Sequence, residues 1–274
     1  MILACAIDRN YAELAGVMLY SIRVNGDIGD IDLYVLGDGL RPVDKERLQA
    51  SAGRPVTFID LTDAMLAEFS GFKTNSNWSR AIYARLILPK LLDASVKRLV
   101  YLDADTIVNR SIRPLFEMDL QGNIAAAFGR VNERMSLPIG RPADAFYFNS
   151  GVILLDLEKW NAEGLTDKAL DLIRKKDLPF PDQDALNIII DGRVLPLSQQ
   201  WNMQVFEGAE DAAIVHFIHA KPNSTECRHP EQARFLKYRS HTPWAKARLK
   251  TKLDKRLRRL RHSFTRRFQA LTGR

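Results

Sequence analysis

Asp103 and Asp105 close an apolar run, Leu99-Val100-Tyr101-Leu102, in the stretch "KRLVYLDADTIVNRSI". If the chain stays extended there, side chains two residues apart share a face. Two carboxylates so placed repel unless a proton or a cation joins them. A hard divalent ion with oxygen ligands answers that repulsion. Taken alone, the tripeptide fits solvated loop acids or helix caps equally well. It gains weight if further ligands exist elsewhere. His216 ends the apolar stretch "AAIVHF". Imidazole together with carboxylates suits Mn2+ or a similar ion better than Ca2+; the plainer reading is a hydrogen-bonded strand histidine. Lys221 follows five residues on, and a lysine near a metal with anionic partners suits a diphosphate.

Two further groups could carry chemistry. "PFPDQDALN" places Asp182, Gln183 and Asp184 at a helix start, with Asp182 as the expected cap after Pro181. Capping accounts for the two acids and leaves Gln183 free. "YFNSGV" sets Asn149 among apolar residues. A buried amide there needs partners, either backbone groups or sugar hydroxyls.

The elements that must hold these residues read as α/β. Strands are expected at 2–7, "IDLYVLGDG", "RPVTFIDL" and "VKRLVYLDAD". Between them lie helices at "YAELAGVMLYSIRVN", capped by Asn10, at "RPVDKERLQASAG", stopped by Gly53, and at "SRAIYARLILPKLLD", interrupted or ended near Pro89. Further strands are expected at "NIAAAFGRV", "FNSGVILLDL" and "AAIVHFIH", with helices at "EKWNAEGLTDKALDLIRKK" and "DQDALNIIIDG". Alternating strands and helices predict a largely parallel sheet, whose ligands sit beyond the strands' carboxyl ends. Asp8, Asp38 and Asp103 all fall at such ends. There is no Gly-rich phosphate loop of the G-x-G-x-x-G or Walker type.

The chain has 274 residues, 46% of them hydrophobic, enough for one large α/β domain or two small ones. Its two cysteines, Cys5 and Cys227, lack metal-type spacing and a disulfide pattern, which favours a reducing compartment. The N-terminus carries no basic leader, and no run approaches the ~18 apolar residues of a spanning helix. The expectation is a cytoplasmic protein, soluble or peripheral on the inner face of the plasma membrane. Net charge is +7, but residues 245–274 hold twelve Lys or Arg against Asp254 alone. The remainder is slightly acidic. Within the tail, Leu249, Leu253, Leu257, Leu260, Phe264 and Phe268 recur at three- and four-residue steps, giving one apolar helical face amid cations. That pattern suits an interfacial helix on anionic lipid. Packing on the protein's own body is a second reading. Nucleic acid is not expected, since the body is acidic and carries no RNA-binding signature. The division is therefore 1–240 and 241–274.

Taken in order, "AIDRNY", "YARL", "YLDADTIV", "FNSGVILLDLEKW", "DQDALN" and "HFIHAKP" resemble glycosyltransferase family 8, over about residues 1–222. These are retaining enzymes that include bacterial lipopolysaccharide galactosyl- and glucosyltransferases. The resemblance implies a GT-A fold, a Rossmann-like mixed sheet flanked by helices. It implies a UDP-sugar donor, Mn2+ (or Mg2+), and a saccharide or glycolipid acceptor. By the same resemblance, Asp8 and Asn10 meet uracil and ribose, Tyr11 stacks on uracil, and Ala6 and Ala104 border the nucleotide. Asp103, Asp105 and His216 would hold the metal and Lys221 the diphosphate. Arg85, Asn149, Asp182 and Gln183 would surround the donor sugar, with Gln183 near the anomeric carbon.

A carboxamide oxygen is a weak nucleophile, so same-face substitution is favoured at Gln183. A double displacement would need Asp182 or Asp184 instead. Three positions depart from the family pattern. Arg130 stands where relatives carry a sugar-contacting acid, which leaves the donor hexose open; the residue is read either as a surface arginine or as a partner for a uronic acid carboxylate. His219 stands near an expected glycine, and Asn223 near an expected tryptophan. Two rivals remain at this point: a phosphohydrolase of the haloacid-dehalogenase type and a non-catalytic sugar-nucleotide or lipid-surface binding protein.

Overall fold

The computed structural model describes residues 1–62, 65, 69, 72, 80–205 and 211–254. The first half runs β1 (Ile2–Asp8), α1 (Ala12–Asn25), β2 (Asp32–Asp38), α2 (Pro42–Ala52), β3 (Val56–Asp60), α3 (Ala84–Leu91), β4 (Arg98–Leu102), β5 (Thr106–Val108), α4 (Arg113–Glu117) and β6 (Ala125–Val131). The second half runs α5 (Glu133–Ser136), β7 (Phe146–Asp156), α6 (Leu157–Ala162), α7 (Leu165–Lys175), α8 (Pro181–Ile189), β8 (Val194–Pro196), β9 (Ile214–His216) and α9 (Gln232–Arg239).

Among the described residues, seven strands form one sheet in the order β3-β2-β1-β4-β7-β6-β8, and β5 pairs with β9 beside it. β1 to β4 are mutually parallel, while β7 runs antiparallel to both β4 and β6. The sheet is thus mixed and helix-flanked, as the resemblance implied. Alternation along the central strands feeds two cores. Leu3, Cys5 and Ile7 of β1 and Val100 and Leu102 of β4 enter the cluster shared with α1 and α2. Ile2, Ala4, Leu99 and Tyr101 enter the opposite cluster, shared with α3, α7 and α8. A strand apolar on both faces has to be central. Cys5 and Cys227 are both buried free thiols, and burial pushes the Cys5 thiol up to about 12, an inert core residue.

Asn10 caps nothing: the Asp8 carboxylate folds back onto the Asn10 and Tyr11 amides at 2.7 and 3.3 Å, and α1 begins after that turn without a side-chain cap. The helix holding Pro89 ends just past it, at Leu91, as expected. The single helix expected over 158–176 is two, broken at Gly164, whose φ of 61° lies in the left-handed region. β5 and β8, three residues each, were too short to show periodicity.

The start of the basic tail lies against the body. Trp244 is buried in the α1 core, where a Cβ on Gly16 would collide with its ring. Glu13 of α1 accepts from Arg239 at 2.7 Å and from Asn223 at 2.6 Å. Lys250 donates to the Asn10 carbonyl at 3.1 Å, and its own amide donates to the Asn223 carbonyl. Asn223 thus gives a side-chain N–H to a buried carboxylate oxygen and its backbone carbonyl to the tail. Asn223→Leu is expected to lower stability by about 1–3 kcal/mol, measured by denaturant titration, because one oxygen of a buried carboxylate loses its donor. The expected apolar helical face does not begin at Leu249, which lies in irregular chain; Leu253 is exposed in the helical residues 252–254, and the rest of that face, in 255–274, lies outside the described residues.

Candidate active site

Asp103 and Asp105 do not sit on an extended strand. β4 stops at Leu102, and 103–105 form the turn into β5. The two acids meet because the turn folds back. The Asp103 amide donates to the Gly151 carbonyl of β7 at 2.7 Å, and the Asp105 carbonyl accepts from Phe217 at 3.0 Å. Register then delivers the imidazole, since His216 pairs with Thr106, the residue after Asp105. The His216 Nε2 lies 3.3 Å from Asp105 Oδ1 and 3.8 Å from Asp103 Oδ2. One ligand atom from each residue falls within a 4.8 Å span. Gly151 makes the approach possible, because a Cβ there would strike both the imidazole and the Asp103 carboxylate. Two carboxylates and one imidazole nitrogen, converging from a turn and a strand, fit a divalent ion that accepts mixed oxygen and nitrogen ligands.

The cationic residues surround that cluster. The Lys221 ammonium pairs with Asp105 Oδ2 and donates to the Phe217 carbonyl at 3.0 Å. Burial pushes the Asp105 carboxyl up, but Lys221 and His216 outweigh it and hold it below the usual carboxylate range. Burial likewise works against the Lys221 charge, and Asp105 more than restores it. Arg85, at the start of α3, is buried over the Tyr101 ring at 4.7 Å. Its guanidinium bridges Asp103 at 2.7 Å and Asp182 at 3.1 Å, and donates to the Ser150 hydroxyl at 2.8 Å.

At the α8 terminus the cap lies two residues before the expected Asp182. Phe180 is the cap residue and Pro181 opens the helix, so Asp182 lies inside it, 3% exposed. Burial pushes the Asp182 carboxyl up to about 6, partly offset by Arg85. Asp184 reaches back instead, accepting from the Phe180 amide at 2.7 Å with one oxygen and from the Tyr147 hydroxyl with the other. Asp184 is fully buried. The Gln183 Oε1 accepts from Asn149 at 2.9 Å and from the Ser150 amide at 3.2 Å. Asn149 therefore has side-chain and backbone partners within the protein.

Asp8 ends β1, and Asn10 and Tyr11 occupy the turn after it. β1 pairs Ala4 with Tyr101 of β4, so Ala6 and Asp8 reach the same sheet edge as Asp103 and Ala104. Arg130 is exposed on β6, in register with Tyr147 of β7. His219 is exposed and lines a cavity of about 280 Å3 with Gln204, Glu226 and His229. Tyr147, Ser150 and Asn202 were not anticipated. The first two flank Asn149 in a quoted motif, but Asn202 stands in "QWNMQ" with no spacing that signals it.

A mixed, helix-flanked sheet with an Asp-Asp-His cluster and a lysine beyond its strand ends has the architecture of a GT-A glycosyltransferase. The family model of glycosyl transferase family 8 matches residues 2–247, and the chain belongs to that family. It is a retaining glycosyltransferase, which sets aside both the phosphohydrolase and the non-catalytic reading. General stress protein A of Bacillus subtilis is 30% identical over 89% of this chain and 94% of its own length. The lipopolysaccharide 1,2-glucosyltransferase of Escherichia coli is 33% identical over 73% of this chain and 61% of its own. Among solved structures, galactosyltransferase LgtC in complex with donor and acceptor sugar analogs superposes with a TM-score of 0.77 at 25% identity, covering 89% of this chain and 99% of LgtC. Among the described residues no helix is long and apolar enough to cross a membrane.

Proposed function

We propose that the protein transfers a hexose, galactose or glucose, from a UDP-sugar to a hydroxyl of a cell-surface glycolipid or polysaccharide. The convergence of Asp103, Asp105 and His216 beside Lys221 carries this reading. Those three side chains would hold Mn2+ (or Mg2+), which supplies charge stabilisation to the diphosphate. Asp8, Asn10 and Tyr11, with Ala6 and Ala104, border the nucleotide. The Lys221 ammonium binds the diphosphate and favours the departure of UDP, because its charge is worth more as negative charge grows on the leaving oxygen. Lipopolysaccharide-type relatives support the acceptor class, since the E. coli and Salmonella typhimurium relatives are named for lipopolysaccharide transfer.

Arg85, Asn149, Asp182 and Gln183 face the donor sugar in this reading. Same-face substitution fits them best. The Gln183 Oε1 already accepts two hydrogen bonds, Asp182 is paired with Arg85, and both Asp184 oxygens are engaged. The acceptor hydroxyl attacks on the side from which UDP leaves and passes its proton to the departing phosphate. Thermal-shift titration with UDP-glucose, UDP-galactose, UDP-N-acetylhexosamines and UDP-uronic acids, each with and without Mn2+, tests the donor. Stabilisation by one UDP-hexose that requires Mn2+ is expected; no response to any UDP-sugar would overturn the reading. Stabilisation by a UDP-uronic acid alone would assign Arg130 to a sugar carboxylate.

The tail is assigned to an anionic membrane surface, each base near it contributing up to ~1 kcal/mol. Because Trp244 and Lys250 are part of the folded body, truncation belongs after residue 254. The 1–254 protein is expected to co-sediment with anionic vesicles at least roughly tenfold more weakly than the full chain. Equal binding would remove the membrane assignment.

A further inference from the structure

Between the metal-type cluster and Gln183 lies a line of side chains whose hydrogen bonds all point one way. The His216 Nδ1 is 3.0 Å from Asn202 Oδ1, and Asn202 Nδ2 donates to Asn149 Oδ1 at 2.9 Å. Asn149 Nδ2 donates to Gln183 Oε1 at 2.9 Å, Gln183 Nε2 donates to the Tyr147 hydroxyl at 2.9 Å, and Tyr147 donates to Asp184.

The direction is fixed by groups that cannot turn round. The Ser150 amide donates to Gln183 at 3.2 Å and the Gly151 amide to Asn149 at 3.0 Å. A backbone N–H only donates, so the side-chain atoms facing those two amides are carbonyl oxygens. The atom of Asn202 that faces the Asn149 oxygen must then be its NH2, which turns its own oxygen to the imidazole. An amide oxygen only accepts. The far end agrees, because Asp184, which also takes the Phe180 amide, accepts from Tyr147.

We propose that this one-way chain fixes a proton on His216 Nδ1, so that Nε2 is the nitrogen that meets a metal beside Asp103 and Asp105, and that Asn202 is the positioning residue for this metal ligand. Through Asn149 the same chain ties the orientation of the imidazole to the placement of Gln183. The inference rests on the metal-site reading above. A histidine ligand whose other nitrogen is held by a fixed acceptor binds metal better, because the ring need not be ordered or change tautomer on binding.

Two measurements on the full chain test it. Nitrogen-15 NMR of histidine-labelled protein saturated with diamagnetic Zn2+ reads which ring nitrogen keeps its proton, with His216→Ala giving the assignment. A proton on Nδ1 is expected; a proton on Nε2 would overturn the proposal. Mn2+ affinity by electron paramagnetic resonance is expected to fall about 10–100-fold in Asn202→Leu. Asn202→Asp, which keeps an oxygen acceptor for Nδ1–H, is expected to recover much of that loss. Wild-type affinity in Asn202→Leu would overturn the positioning role while leaving the metal site standing. Undiminished affinity in His216→Ala would instead overturn the metal-site reading itself.

Discussion

Asp105→Asn and His216→Ala are each expected to lower kcat/KM for the UDP-sugar by about 10³-fold, roughly 4 kcal/mol of transition-state stabilisation. The size follows from how little else can replace them. Asp105 is 6% exposed, and its two oxygens divide between His216 and Lys221. Its carboxyl is held below the usual range, so it is ionised at any working pH. An amide of the same shape removes that charge. It leaves the Lys221 ammonium without its carboxylate and reduces the metal-type cluster to two members. His216→Ala removes the nitrogen ligand while leaving both carboxylates in place. The two variants should therefore differ in Mn2+ dependence: His216→Ala regains some rate as Mn2+ rises, and Asp105→Asn regains less. Steady-state rates across an Mn2+ series, with melting curves to confirm folding, check both. A wild-type rate in either variant at limiting Mn2+ would contradict the assignment.

How much of this was legible in the sequence depends on the distance over which each signal acts. β1, α1, β2, α2 and β3 could be read because burial imposes a period on neighbouring residues. The direction of β7 could not, since "FNSGVILLD" is apolar on both faces and looks the same parallel or antiparallel. Asp103 and Asp105 were visible as a pair, though the reason they meet is a turn rather than an extended strand. No local rule joins them to His216; only the order of motifs shared with family 8 did. Asn202 illustrates the limit. Its partners, His216 and Asn149, are 14 and 53 residues away, and nothing about an isolated asparagine announces such a contact. Asn223 shows the converse. It departs from the family pattern, yet its buried bond to Glu13 makes the residue choice physically sensible. The tightly periodic elements are local decisions, whereas the site is assembled from β-strand ends, where side-chain identity reports function more than period.

Arg85→Met is expected to be the most destabilising single change at the site, and by an amount that depends on pH. The guanidinium is the shared counter-ion of Asp103 and Asp182, whose side chains are 24% and 4% exposed. Removing one partner of a buried ion pair costs about 3–5 kcal/mol, because the remaining charge stays desolvated. Even with Arg85 present, burial pushes Asp182 up to about 6 from an ordinary value of 3.8. For a carboxyl raised in this way, the stability contribution is whole below about pH 4 and is lost as pH rises through about 6. That loss amounts to roughly 3 kcal/mol, from about 1.36 kcal/mol per pH unit. Without Arg85 the offset disappears, so Asp182 takes up its proton at higher pH still. In chelator-containing buffer, denaturant titration should show the full Arg85→Met deficit at about pH 8 and a smaller one at about pH 5, where Asp182 is neutral. Asp182→Asn introduced beside Arg85→Met should recover part of the deficit at the higher pH and little at the lower, since it supplies by substitution what the proton supplies by titration. A deficit equal at both pH values would mean that Arg85 acts by packing over Tyr101, and that its charge contributes little to holding the two acids in place.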